Sequence, residues 1–172
     1  DADKVWQLAG GEFVKRCENV IVIGNPGTGK THLAIGLGRR LCREGFKVHF
    51  YTTAQLVGEL SKAQEIKRLS RLQAQLLKLD VLILDERSYL TFSKAQSELL
   101  FNVLSGRNER GSVIITTNLE FSRWGELFPD NMLTGALVDH LTHHCHILNI
   151  NGDSYRLASR LEEDQMKTSN QD

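Results

Sequence analysis

Short runs of apolar, β-branched residues alternate along this chain with longer stretches whose apolar positions recur every three to four residues. The first kind predicts strands at Val20 to Gly24, Lys47 to Tyr51, Val81 to Leu84, Val113 to Thr117 and His146 to Ile150. The second predicts helices at Thr31 to Glu44, Ala54 to Lys78, Ser93 to Asn108 and Met132 to His143, after an opening helical pattern from Val5 to Cys17. Such alternation belongs to an α/β fold, a parallel sheet covered by helices. Its crossovers are right-handed, and ligands collect beyond the carboxyl ends of its strands.

The polar residues that interrupt the pattern fall at those ends. Gly24-Asn25-Pro26-Gly27-Thr28-Gly29-Lys30-Thr31 follows the first strand, opens a helix and satisfies G-x-x-x-x-G-K-[ST] at every fixed position. Gly27 and Gly29 let the backbone curl so that successive N–H groups converge on phosphate oxygens, and the helix N-terminus adds its positive end. Lys30 is then expected at the β- and γ-phosphates and the Thr31 hydroxyl on Mg²⁺. A chance glycine turn is the plain alternative, and the flanking strand and helix argue against it.

The third strand ends in Asp85-Glu86, the Walker B arrangement. Asp85 would hold Mg²⁺ through water, and Glu86 would orient or deprotonate the attacking water. Alone, such a pair is also an ordinary solvated turn; after a P-loop, with one strand between, the metal reading is favoured. ATP and Mg²⁺ are the expected cofactors. Asn118 ends the fourth strand. If that strand lies between the P-loop strand and the Walker B strand, the amide stands beside the γ-phosphate, where it can position water and sense hydrolysis; a turn-forming or capping asparagine is the alternative.

Composition changes the picture in one respect. The 172 residues, 41% hydrophobic and 24% charged, suit one globular domain with a core that needs no disulfide or metal. The zero net charge is uneven, however: 0 over residues 1–38, +6 over 39–78, −4 over 79–150 and −2 over 151–172. On one continuous helix through the basic block, Lys67, Arg71 and Lys78 share a side while Ile66, Leu69, Leu72 and Leu76 face the other way. The cations read either as a solvated face or as contacts to a DNA backbone, whose affinity would fall with salt.

Cys17, Cys42 and Cys145 form no C-x-x-C pair, no charged-then-apolar leader opens the chain, and no apolar run approaches membrane length. A cytoplasmic protein without a membrane partner is the expectation. His140, His143, His144 and His146 crowd around Cys145, and His140 and His144 have a zinc-chelating i, i+4 spacing. The run enters a strand, whose alternation sends neighbours to opposite faces, so metal is the minor reading. Phe121, Trp124 and Phe128 recur at helical spacing, which favours core or subunit contact over base stacking.

Taken together, several segments resemble the IstB-like transposition helper ATPases, AAA+ proteins close to the DnaC helicase loaders. They are Gly24 to Thr31 continued by His32-Leu33-Ala34, Leu82 to Glu86 with Tyr89-Leu90, Glu109 to Asn118, Phe121-Ser122-Arg123-Trp124-Gly125-Glu126-Leu127-Phe128, and Ser154-Tyr155-Arg156-Leu157. The Phe-Ser-x-Trp-Gly-Glu segment is the most specific.

The resemblance implies an ATPase that assembles on duplex DNA as an ATP-dependent homo-oligomer and works with a transposase; a DnaC-like helicase loader is the alternative. It implies that His32 belongs to the nucleotide site and that Arg156 serves as a second sensor, against a strand arginine paired with surface carboxylates. It also marks a departure. Where the family has Asp-Arg-Leu, with an arginine finger for the neighbouring subunit, this chain reads Asp139-His140-Leu141. Neutral imidazole lacks that fixed charge and fork of donors, so hydrolysis should be weak. Arg107 and Arg110 are the substitutes to consider, and a nucleotide-gated DNA scaffold with marginal hydrolysis is a second reading. A small-molecule kinase is a third, which Asn118 and the lack of an arginine-rich lid segment oppose.

The expected organisation is one AAA+ domain over 1–172, with an N-terminal helix (1–18), an ATPase core (19–158) and a polar tail (159–172). Its sheet should run 5-1-4-3-2, a P-loop three-layer sandwich without a full helical lid. The resemblance implies an N-terminal DNA-binding region ahead of this module, of which these residues are expected to hold almost none.

Overall fold

The computed structural model describes residues 2–87, 91–118, 121–126 and 128–151. The elements follow the chain as α1 (Ala2–Ala9), α2 (Glu12–Lys15), β1 (Asn19–Gly24), α3 (Lys30–Arg43), β2 (Val48–Thr52), α4 (Thr53–Glu65), α5 (Leu69–Leu77), β3 (Val81–Asp85), α6 (Lys94–Gly106), β4 (Ser112–Thr117), a 3₁₀ turn (Phe121–Glu126), α7 (Asn131–Thr142) and β5 (Cys145–Ile150). All five strands pair in parallel in the order β2-β3-β4-β1-β5, the expected 5-1-4-3-2 read from the other edge.

Period-2 alternation divides the strand side chains between two cores. Ile21, Leu82, Leu84, Val113 and Ile115 pack under α4 to α7 with Trp124 and Phe128. Val20, Val22, Val81, Ile83 and Ile114 pack on the other face with Leu8, Phe13, Val14 and Leu37 from α1 to α3. The result is three layers. Trp124 and Phe128, 5% and 6% exposed, are core residues, which settles those two against base stacking.

Two expected helices are each broken in two. The opening pattern is interrupted at Gly10-Gly11, where Gly11 has φ +80° and an added Cβ would lie 2.6 Å from the Phe46 ring. Only glycine meets both demands there.

The Ala54 to Lys78 helix divides into α4 and α5. Lys67 takes φ +58°, the Arg68 N–H donates to the Ala63 carbonyl (2.7 Å), and the Lys67 N–H donates to that of Gln64 (3.2 Å). These are the paired bonds of a helix-ending Schellman motif, with lysine at the left-handed position glycine usually fills. A capping box supports the other end of α4: Thr52 Oγ1 accepts from the Gln55 N–H (3.2 Å), and Gln55 Oε1 accepts from the Thr52 N–H (3.0 Å).

The break overturns the continuous basic face. Lys67 lies in the turn, Arg71 on α5 and Lys78 at its C-cap, all exposed, while Ile66, assigned to the buried side, is 53% exposed. Because a side chain in the left-handed region costs roughly 1 kcal/mol, Lys67→Gly should raise stability by up to about 1 kcal/mol, read as a shifted denaturant midpoint.

Candidate nucleotide-binding site

β1 delivers the chain to its carboxyl end at Gly24, where the β5 backbone passes so close that an added Cβ would lie 2.3 Å from the Ile150 carbonyl oxygen. Beyond it Gly27 and Gly29 take φ +82° and +92°, and the chain enters α3 directly. These left-handed turns bend the loop directly above the N-terminus of a 14-residue helix, whose positive end suits an anion. Thr28 Oγ1 donates to the Asn25 carbonyl (2.8 Å) and closes the loop. Lys30, only 7% exposed, donates from Nζ to the carbonyls of Gly24 (2.8 Å) and Asn25 (2.7 Å).

Asp85 closes β3 at 1% exposure, facing this loop. Its Oδ1 accepts hydrogen bonds from Thr31 Oγ1 (2.8 Å) and from Thr116 Oγ1, and its Oδ2 accepts one from Arg87 Nε. Sheet register makes the Thr116 contact, since Asp85 and Thr116 are paired residues of β3 and β4. The Glu86 N–H donates to the Thr116 carbonyl (3.0 Å), which fixes the chain where it leaves the strand. A hydroxyl and a carboxylate this close form a hard oxygen pair, the donor set Mg²⁺ takes alongside water and phosphate.

The space between is a cleft of about 440 Å³, lined by Pro26 to His32, Asp85, Glu86, Arg87 and Asn118. β4 does lie between β1 and β3, so half-buried Asn118 opens onto the cleft. Gly24 and Asn25 take part through the carbonyls that hold Lys30 rather than through the lining. Arg156, Tyr89 and Leu90 lie outside the described residues.

The family model for the IstB-like ATP binding protein matches residues 1–163. This chain belongs to the IstB-like ATP-binding family. A protein of Pseudomonas aeruginosa named for ATP binding in the insertion sequence IS21 is 46% identical to the IstB-like chain over 160 residues, covering 93% of this chain and 60% of the relative. One from Geobacillus stearothermophilus, similarly named for the insertion sequence IS5376, is 38% identical over 168 residues, covering 97% of this chain and 67% of the relative.

Among solved structures, the DnaC helicase loader superposes with a TM-score of 0.75 at 22% identity, covering 86% of each chain. AMPPCP-bound DnaA from Aquifex aeolicus gives 0.71 at 14% identity, covering 98% of this chain and 52% of that one. These likenesses establish the fold, a parallel α/β sheet shared with the DnaC loader and DnaA. The IstB-like chain thus spans about 60% of the Pseudomonas relative.

Away from the cleft, the IstB-like chain uses its other polar residues differently. Lys67, Arg71 and Lys78 are not among the residues lining the cleft. His140 lies edge-on to Phe101 (6.0 Å) near the amino ends of β1 and β4, the opposite end of the strands from the P-loop. His143 and His144 stack edge to face at 4.3 Å, and His146 Nε2 lies 2.6 Å from Glu18 Oε2. Among the described residues no three His, Cys, Asp or Glu side chains come together as a metal cluster, and no helix is long and apolar enough to cross a membrane.

Arg107, considered as a substitute finger, is 1% exposed. It donates from Nη1 to the Leu76 carbonyl (2.7 Å) and from Nη2 to those of Leu79 (2.9 Å) and Ser112 (3.0 Å). A guanidinium so committed cannot extend to another subunit. Arg110 is exposed.

Sequence reasoning passed over Arg87 and Thr116 at this site. Arg87 stands two residues after Asp85, a spacing that shares one face of an extended chain, and that was its signal. Thr116 carries no local signal, because only the pairing of β3 with β4 brings it to Asp85.

Proposed function

We propose that this chain binds ATP with Mg²⁺ in the cleft, hydrolyses it slowly, and acts on duplex DNA with a transposase as an ATP-assembled homo-oligomer. The observation that carries the reading is the meeting of a glycine-built amide cradle with the Thr31–Asp85 oxygen pair, 2.8 Å apart, on one wall of the cleft. The relatives named for ATP binding in insertion sequences support the transposition setting. The DnaC likeness keeps a helicase-loader role as the alternative.

In this reading the loop amides and Lys30 bind the phosphates, with Lys30 turning from the Gly24 and Asn25 carbonyls onto the β- and γ-oxygens. Thr31 would hold Mg²⁺ directly and Asp85 through water, and the ion held there would neutralise charge on the phosphates. Glu86 orients a water and takes its proton, and the Asn118 amide positions that water. Arg156 is proposed as the second sensor, and Lys67, Arg71 and Lys78 as contacts to the DNA backbone.

Sedimentation with and without ATP and duplex DNA tests the assembly. An oligomer that needs both supports the proposal; a monomer indifferent to either contradicts it.

His140 favours a second reading, a scaffold in which nucleotide binding gates assembly and hydrolysis is marginal. Its ring packs on Phe101, and its imidazole offers no fixed charge to a neighbouring site. His140→Arg should then raise DNA-stimulated turnover by about ten-fold, short of the roughly 10³–10⁵ that a fully placed finger contributes. Equal phosphate release by the two proteins would move the finger to another residue, with Arg110 the first to test.

A further inference from the structure

Both oxygens of Asp85 are engaged, and the partner on Oδ2 is of a different kind from those on Oδ1. Thr31 and Thr116 offer neutral hydroxyls, whereas Arg87 offers a full positive charge from the mouth of the cleft. The two ends of that ion pair differ sharply in environment: the Arg87 side chain is 57% exposed and that of Asp85 1%.

A carboxylate buried so deeply needs a counter-charge, and a divalent cation held at Thr31 and Asp85 would supply one. A guanidinium cannot shed its proton, so it can yield the place only by moving. It has somewhere to move: Arg87 also borders a side cavity of about 190 Å³ lined by Asp85 and Glu86 on one side and by Thr52, Thr53, Ala54 and Phe92, against whose ring a guanidinium can lie. With more than half the side chain already in water, the departure costs little desolvation.

We propose that Arg87 is a counter-ion latch on Asp85. It holds the carboxylate in place before metal arrives and competes with Mg²⁺ for it, so that it sets how much Mg²⁺ the chain needs to bind nucleotide tightly. This rests on the proposed function in taking the cleft as a Mg²⁺-nucleotide site. Arg87 is a positioning residue here, acting through Asp85.

The test is equilibrium binding of a fluorescent ATP analogue, first in EDTA and then across a Mg²⁺ titration, for the parent, Arg87→Gln and Arg87→Lys. The exposure of the side chain leaves the fold intact in both variants, which thermal melts check. The Mg²⁺ concentration for half-maximal tightening should fall about ten-fold in Arg87→Gln, the size expected when a charge-assisted partner is removed. Arg87→Lys, which keeps the charge, should stay near the parent. Coincident midpoints for parent and Arg87→Gln, with both binding nucleotide, overturn the latch. Failure of the parent to bind the analogue at any Mg²⁺ concentration overturns instead the functional reading beneath it.

Discussion

Glu86→Gln keeps ATP affinity within about two-fold of the parent and lowers turnover by about 10²- to 10⁴-fold, the contribution typical of a positioned general base. The substitution preserves shape while removing the negative charge and the capacity to accept a proton. The β3 end is held from elsewhere, by the Glu86 N–H on the Thr116 carbonyl and by the bonds to Asp85, so Thr31 and Asp85, the proposed Mg²⁺ donors, stay where they are. Half-buried Glu86 lines the nucleotide cleft and also the apolar cavity that contains Phe92, Trp124 and Phe128. Single-turnover phosphate release beside equilibrium nucleotide binding separates the two effects. Unchanged release would assign the base elsewhere; lost binding would make Glu86 part of the phosphate or metal site.

Arg107→Met costs about 2–4 kcal/mol of folding stability while leaving the nucleotide-site residues untouched. Two terms oppose one another. Burial pushes the Arg107 guanidinium down to about 10, so it stays charged at neutral pH and its desolvation weighs against the fold. Against that stand hydrogen bonds to three backbone carbonyls, from the end of α5, the approach to β3 and the start of β4, all donated by this one side chain, with the Leu76 carbonyl also accepting the Leu79 N–H (3.2 Å). A buried carbonyl that loses its donor costs roughly 1–3 kcal/mol, and with the Leu79 and Ser112 carbonyls both losing the guanidinium the sum favours keeping the charge.

Packing around the group is equally committed: at Gly111 an added Cβ would lie 2.4 Å from Arg107 Nη2. Arg107→Lys should recover little, because an ammonium cannot span the three carbonyls that a planar fork reaches. Urea unfolding of the three proteins measures both statements. A Met variant as stable as the parent would show that water replaces the guanidinium at no cost.

What could be read from the chain and what could not divide along local and non-local lines. The strands and the P-loop were legible because each rests on a short-range pattern: apolar runs, glycines at fixed spacing, and carboxylates or an amide where a run stops; the strand order came with the family resemblance. The ends of α6 were equally open, with Ser93 and Gln96 forming a capping box at its start.

The split between α4 and α5 was hidden because Ile66-Lys67-Arg68 contains no glycine or proline, and the left-handed turn is held by backbone bonds that any residue can make. Gly10-Gly11 did signal its break, and the helical periodicity around it outweighed that signal. Arg107 reads as a substitute arginine finger, since nothing near it in the chain announces carbonyls supplied from 31 and 28 residues away. Asp85 shows both sides at once: its place was plain from the end of an apolar strand, whereas its Thr116 partner required the register of two strands.

The central claim is that this cleft is an ATP site built on Lys30. Calorimetric titration of ATP with Mg²⁺ into the parent and Lys30→Ala tests it most directly. The account predicts one ATP per chain for the parent and at least about ten-fold weaker binding for the variant, the loss expected of a charge-assisted contact to phosphate. Equal affinity in the two proteins, or no heat of binding in the parent, would contradict it.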